Sequence, residues 1–388
     1  MEIKYAYTHL QLIEPEFSSS LTDLILELNY LRKKPLGGTT HACLFFQLKN
    51  IFHFLESLES ARIEGNRTTL TEMVERKIEN TPTQAEQFSE IENVEKALIF
   101  IDESVNETPI NRIFLSELHK IVVTNLSPSR EGDSTPGDYR KTNVQIAKAD
   151  HKPPDFTQVS DYMEELINFI NIGGPPKYDL LKAALAHHRF AWIHPFKNGN
   201  GRTVRLLTYA MLVKEGFRVN VGRILNPTAI FCNDRKKYYR FLSQADSGTK
   251  DSLLQWCEYV LSGLKNEIEK IDRLLDYDFL SKNILLPAVN FALDRKIITD
   301  IESEILAIAI QKQIFQAKDL KQVFPSKIPA EISRLLGGLK DKKMIQAENE
   351  KGRKYYINFY NSYLLRGTIE MLSQQGFLPI KDEDHSIS

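Results

Sequence analysis

The chain has 388 residues, with 50 Lys and Arg against 51 Asp and Glu and a formal net charge of -1. That length admits two or three domains with real cores, and the near cancellation of charge excludes a global field for nucleic acid or an anionic membrane. Cys43, Cys232 and Cys257 lie far apart without CxxC spacing, so neither a disulfide framework nor a zinc site is indicated.

Met1–Leu12 lacks the continuous apolar core of a signal peptide, and no later run approaches a membrane span. A soluble, cytoplasmic protein with no membrane partner is expected. From Leu21 to about Leu58 apolar residues recur at helical spacing, broken by Pro35, Gly37 and Gly38, which predicts two helices joined by a turn. Ser60 and Glu64 then stand one helical turn apart, with Gly65 placed to end the helix. The segment Thr69–Gln87, with Thr81 and Pro82, reads as polar, and the helical period returns over Ile91–Val123 with Pro109 near a helix start.

Ser127–Asp155 is rich in Pro, Gly, Ser and Asp, the composition of a long functional loop, and its stretch Tyr139–Ala147 has the alternation of a small hairpin. Helices are expected over Val159–Ile172 and Tyr178–Trp192, the latter halted at His194-Pro195 because a residue before proline resists helical geometry. Another should run from Asn200 to Val213, capped by Gly216, with more helices to about Leu275. Beyond Asp276, helices at Glu302–Gln311, Ala317–Val323 and Pro329–Lys342, then a hairpin of Met344–Ala347 and Lys354–Phe359, follow the order of a winged helix-turn-helix.

The run from His194 to Arg205 carries the chemistry. Gly199 and Gly201 let the backbone turn its N–H groups inward just before a helix start, which makes a cradle for an anion. Arg202 and Arg205, about 300° apart round the helix at about 100° per residue, can face one bound polyphosphate. His194 at the mouth of the cradle can accept a proton near pH 7, as a general base does.

This run resembles the signature of the Fic family, His-Pro-Phe-x-Asp/Glu-Gly-Asn-Gly-Arg-x-x-Arg, at every defined position except Asn198. The resemblance extends to Gly137-Asp138-Tyr139-Arg140 before the family's flap hairpin, to Lys152-Pro153-Pro154 after it, and to Arg235, Tyr238 and Tyr239, so that about Leu21–Leu264 is covered. It implies a mainly α fold, a Fic-type helical bundle with a β-hairpin flap, followed by the small α+β winged helix-turn-helix. The corresponding divisions are residues 1–88, a helical region with an inhibitory helix, 89–275, the catalytic core, and 276–388. It further implies transfer of AMP from ATP to a Ser, Thr or Tyr hydroxyl of a protein substrate, with His194 as base.

By the same resemblance ATP lies over Gly199, Asn200, Gly201, Arg202 and Arg205, with Glu64, Tyr238 and Tyr239 alongside. Thr142, Asn143, Val144, Gln145 and Ile146 form the flap that holds the target backbone as an added strand. Ser60-Ala61-Arg62-Ile63-Glu64-Gly65 resembles the family's inhibitory motif, which implies that Glu64 pairs with Arg205 and misplaces the α-phosphate. Asn198 replaces the acid that in Fic transferases holds magnesium. A neutral amide oxygen weakens that metal site, and Lys197 beside it offers a minor source of positive charge.

Two other readings stay open. Glu64 could position water to remove AMP, or the core could sense nucleotide for a winged-helix regulator in which Lys318, Lys321, Lys327, Arg334, Lys340, Lys342 and Lys343 meet DNA phosphates. Winged helices also serve for contact with partners, including a second copy in a homodimer.

Overall fold

A computed structural model describes residues 9–33, 38–79, 85–146, 151–217, 227–232, 234–349 and 352–378. Its helices, in chain order, begin with α1 (Ser20–Lys33), α2 (Ala42–Glu64), α3 (Leu70–Glu79), α4 (Glu86–Ser104) and α5 (Arg112–Val123). They continue with α6 (Val159–Asn171), α7 (Asp179–Ile193), α8 (Asn200–Lys214), α9 (Pro227–Cys232), α10 (Arg235–Ala245) and α11 (Lys250–Leu275). The chain forms two compact units, one of residues 1–35, 53–68 and 83–268, the other of 36–52, 69–82 and 269–388.

In the first unit α7 and α8 pack on each other, with α6 against α7 and with α4 and α5 against α8. Both central helices are buried nearly all round, as helices enclosed by others must be. Leu118, Leu181 and Leu207 have no exposed surface, and each contributes about 1.5–3 kcal/mol of burial. The Asn111 side chain caps α5 by accepting from Phe114 N at 3.0 Å, which fixes where that helix starts after Pro109.

The end of α2 is set by Gly65, whose φ of 113° turns the chain while Asn66 N–H donates to Ala61 O at 3.1 Å, closing the last turn. His53 of the same helix meets the Tyr209 hydroxyl at 3.2 Å, and that hydroxyl donates to Asp102 at 2.7 Å. This buried link fixes the rotation of the helix that carries Ser60 and Glu64.

The second unit adds α12 (Tyr277–Leu280), a π-helical turn at Ser281–Leu285, α13 (Leu286–Asp294), α14 (Asp300–Lys312), β1 (Phe315–Gln316), α15 (Ala317–Val323) and α16 (Pro329–Asp341). It ends with β2 (Ile345–Ala347), β3 (Lys354–Ile357) and α17 (Leu364–Gln374). The strands form an antiparallel sheet in the order β1-β3-β2, with Ile345 opposite Ile357 and Phe315 opposite Tyr355. Thr299 and Glu302 start α14 with a reciprocal capping box.

The fold is mainly α, as expected, and differs from the sequence reading in three places. Within the polar segment Thr69–Gln87, to which no element was assigned, Leu70–Glu79 is a helix with Met73 and Val74 buried, started by Thr69 and Glu72, which cap each other. Thr81 and Pro82 lie outside the described residues. No strand forms over Tyr139–Ile146, and Ala147, where the expected hairpin ended, also lies outside the described residues. The helices at Tyr277–Asp294 and Leu364–Gln374, and the two-residue β1, fall in stretches that periodicity left unassigned.

Candidate active site

His194 terminates α7 in the left-handed conformation, φ 51° and ψ 61°, with its N–H donating to Phe190 O at 3.0 Å. A non-glycine residue held there costs on the order of 1 kcal/mol and persists only where its surroundings fix it. Arg140 does the fixing. Its N–H donates to Pro195 O at 2.8 Å, its Nε to His194 O at 2.9 Å and its Nη2 to Pro154 O at 2.6 Å. The Arg140 side chain therefore ties the carbonyls of His194 and Pro154 together.

Burial pushes the His194 imidazole down to about 4, against the opposing pull of a hydrogen bond at the Ala191 backbone and of the Glu64 charge. At neutral pH the ring is uncharged and able to take a proton.

The loop from Pro195 to Gly199 is held from three sides. Phe196 is buried and stacks on the His119 ring, centroids 3.7 Å apart. His119 Nδ1 accepts from Gly137 N at 2.9 Å, which leaves Nε2–H to donate to Asn198 O at 3.0 Å. Burial pushes this ring down to about 4, which matches a neutral imidazole with one donor and one acceptor in use. Asp133 accepts from the backbone N–H groups of Lys197 at 3.2 Å and Asn198 at 3.3 Å.

Gly199, with φ of 71°, opens α8, and a Cβ there would stand 2.9 Å from Val123 Cγ1. Only glycine combines that backbone angle with that approach. The first-turn amides of Asn200, Gly201 and Arg202 have no acceptor within the helix, the arrangement that receives anions.

Glu64 lies directly over this turn, so close that a Cβ on Gly201 would stand 2.0 Å from its Oε1. The same oxygen accepts from Arg205 Nη2 at 2.8 Å. Arg205 is 1% exposed and further donates to Ser60 Oγ at 2.9 Å and Ser60 O at 2.8 Å. Burial raises the Glu64 carboxyl's titration range, but Arg205, Arg202 and Arg235 outweigh it and hold the group below the usual carboxylate range. The carboxylate is an anion seated in the anion cradle.

The other expected residues fall into three groups. Asn200 uses its side chain on the loop, accepting from Phe196 N and donating to Phe196 O, both at 2.9 Å, so only its backbone amide faces a ligand's position. Tyr238, expected beside the nucleotide, has its ring buried beside Phe231 and Trp256, and its hydroxyl meets His187 Nε2 at 3.1 Å. Tyr239 keeps an exposed ring, under the Arg235 guanidinium at 5.5 Å.

In the flap, Thr142, Asn143 and Gln145 are exposed, with Val144 and Ile146 half-buried. Thr142 O accepts from Arg140 at 3.1 Å, and Asn143 bridges Asp155 at 2.9 Å and Phe156 N at 2.8 Å. These bonds anchor the N-terminal arm through side chains, and no strand pairs with it among the described residues. Lys197 is exposed, with Nζ 3.5 Å from Ser134 Oγ.

The Asn198 amide does not present a ligand to a metal. Its Nδ2 donates to Arg130 O and its Oδ1 accepts from Gly199 N at 2.9 Å. Among the described residues no group of three or more His, Cys, Asp and Glu is arranged to hold a metal ion.

Four residues of this site carried no sequence signal of their own: Glu90, His119, Glu131 and Asp133. Arg202 is fully buried, with Nη1 3.1 Å from Glu90 Oε1 and Nη2 2.9 Å from Glu131 Oε2.

Residues 109–212 match the family model described as Fic/DOC family. The chain is 30% identical over 202 residues to a protein adenylyltransferase Fic of Nematostella vectensis, covering 50% of this chain and 44% of that one. It is 31% identical over 205 residues to its namesake in Drosophila erecta, covering 50% and 38%. The chain thus spans less than half the length of these curated relatives. Among solved structures it resembles a Fic family protein from Desulfovibrio desulfuricans, with a TM-score of 0.55 at 20% identity over 90% of this chain and 98% of that one. A Fic domain containing signaling protein from Bacteroides thetaiotaomicron gives 0.51 at 20% identity, over 66% and 98%. The cradle at the start of α8, the histidine before it and these matches agree that residues 109–212 of this chain are a Fic-family domain.

Proposed function

We propose that the chain is a protein adenylyltransferase held off by Glu64. One observation carries the reading: a carboxylate occupies the helix N-terminus and the arginine that a triphosphate would use. ATP then lies over Gly199, Gly201 and the amides beside them, with Arg202 and Arg205 on its phosphates. The hydroxyl of a Ser, Thr or Tyr side chain on a target protein attacks the α-phosphorus while His194 takes its proton. The new P–O bond forms as the bond to the β-phosphate breaks, leaving AMP on the target and releasing pyrophosphate. The exposed arm Thr142–Ile146 supplies backbone groups for the target's extended chain.

With Glu64 in place the γ-phosphate meets a like charge and loses Arg205, so the α-phosphate sits out of line for attack. The test is mass spectrometry of the full chain and a candidate protein after incubation with ATP and magnesium. An AMP-sized adduct should appear with Glu64→Gly, and be absent from wild type and from Glu64→Gly/His194→Ala. An equal adduct in the double mutant would remove His194 from the role of base.

The position of Glu64 also favours a second reading, in which its carboxylate orients water for removal of AMP. Loss of AMP from a modified protein that requires Glu64 would select it. For the last third we infer a winged helix-turn-helix, because α14, α15 and α16 precede a small antiparallel sheet. Of its basic residues, Lys342 is committed to Glu302 at 2.7 Å and Lys340 donates to the Tyr355 hydroxyl at 3.1 Å, which leaves Lys318, Lys321, Lys327, Arg334 and Lys343 for DNA or a partner.

A further inference from the structure

Arg202 has an acidic partner set of its own, separate from Glu64. Its Nη2 donates to Glu131 twice, to Oε2 at 2.9 Å and to the backbone O at 2.8 Å. Its Nη1 lies 3.1 Å from Glu90 Oε1 without hydrogen-bond alignment, and both Nη1 and Nε make no hydrogen bond among the described residues. A fully buried guanidinium with two unused donors is an incomplete site, because each such group carries its desolvation cost without return. Tetrahedral phosphate oxygens supply the missing acceptors.

The two acids differ in freedom. Glu90 has a side chain only 4% exposed and is held from behind by Asn66, whose Nδ2 donates to Glu90 Oε2 at 2.7 Å and to Gln87 O at 2.8 Å. Glu131 has a side chain 36% exposed and belongs to the loop after α5, so it can rotate into water without disturbing a helix. Burial, Glu64 and Glu86 push the Glu131 carboxyl up against the opposing pull of Arg202, so the resting charge is held at a cost.

We infer that Glu131 is a second, movable lock on the nucleotide site, occupying Arg202 as Glu64 occupies Arg205, and that full, tight seating of the phosphates requires both carboxylates to leave. Glu90 stays and positions Arg202. Asn66, two residues beyond Glu64, ties the end of the inhibitory helix to that positioning acid. Removing Glu64 alone therefore leaves the site half-closed.

This inference rests on the reading of the cradle as a nucleotide site, and the experiment separates the two. ATP binding is measured by calorimetry on the full chain as wild type, Glu64→Gly, Glu131→Gln and Glu64→Gly/Glu131→Gln, with folding checked by thermal unfolding. If Glu64→Gly binds ATP no better than wild type, the underlying reading fails. If it binds better, the double mutant should bind about tenfold more tightly still, in the range of ordinary coupling between sites. Its yield of AMP adduct should rise with it. Unchanged or weaker binding in the double mutant would overturn the second lock and make Glu131 a spectator or a ligand-holding group. Should Glu131→Gln fail to fold, Glu131→Ala carries the same comparison.

Discussion

Replacing Glu64 by glycine removes one of three bonds from a guanidinium that is 1% exposed, leaving the two to Ser60. An unpaired buried charge costs about 3–5 kcal/mol, but Glu64 keeps 26% of its side chain exposed, so water enters where the carboxylate was. The net loss should be about 2 kcal/mol, close to one charge-assisted hydrogen bond. For a unit of this size that lowers the unfolding midpoint by about 4–8 °C. ATP at about a hundred times its Kd returns about 2.7 kcal/mol to a protein that binds it only when folded. Thermal unfolding with and without ATP should therefore show a mutant less stable than wild type when free and restored on adding nucleotide, while wild type barely responds. A Glu64→Gly protein as stable as wild type, and equally indifferent to ATP, would show that the carboxylate neither supports Arg205 nor competes with phosphate.

His194→Ala should retain ATP affinity within about twofold in the Glu64→Gly background while the transfer rate falls about 100- to 10,000-fold, measured by single-turnover kinetics. The rate should stay on its plateau as pH falls through 6.5, with an acid limb only near the resting value of about 4, which a pH profile of kcat/KM checks. For stability the sign follows from proton binding. Unfolded histidine charges below 6.5 while folded His194 stays neutral to about 4, so stability present at pH 7 is lost as pH falls across that window. Glu64, held below its ordinary value of 4.5, likewise contributes above that pH, and the contribution disappears as pH falls through its depressed value. Arg140→Ala should free the His194, Pro154 and Thr142 carbonyls together, costing about 2–4 kcal/mol in urea unfolding and lowering kcat more than affinity. Gly201→Ala should strain the wild type through its 2.0 Å approach to Glu64, and should be better tolerated with Glu64→Gly, as comparison of unfolding midpoints will show.

The helices were legible in the sequence wherever an apolar period ran between strong stops. Gly65, His194-Pro195 and Gly199 each end or start a helix at the residue where their chemistry requires it. The helix at Leu70–Glu79 was missed although Leu70, Met73, Val74 and Ile78 fall at helical spacing and Thr69 and Glu72 carried a capping-box signature that marked its start, because its short length and many charges made the segment read as merely polar. The cradle, its histidine and the Glu64–Arg205 pair followed from residues close in sequence or from a motif that fixes them. Glu90, Glu131 and Asp133 were hidden because their roles arise from packing across long sequence separations, and nothing in the neighbours of an acidic residue tells which arginine it will meet. Tyr238 and Tyr239 differ in role although adjacent, because neighbouring helical residues point about 100° apart, one to the core and one to solvent.

The central claim is that Glu64 and a triphosphate compete for one place. The measurement that meets it most directly is a crystal structure of Glu64→Gly soaked with a non-hydrolysable ATP analogue. Phosphate oxygens are expected on the first-turn amides of α8, in the space the carboxylate held beside Gly201, with Arg205 turned from Ser60 toward the γ-phosphate. A nucleotide bound elsewhere, with Arg205 unmoved on Ser60 and the cradle empty, would contradict it.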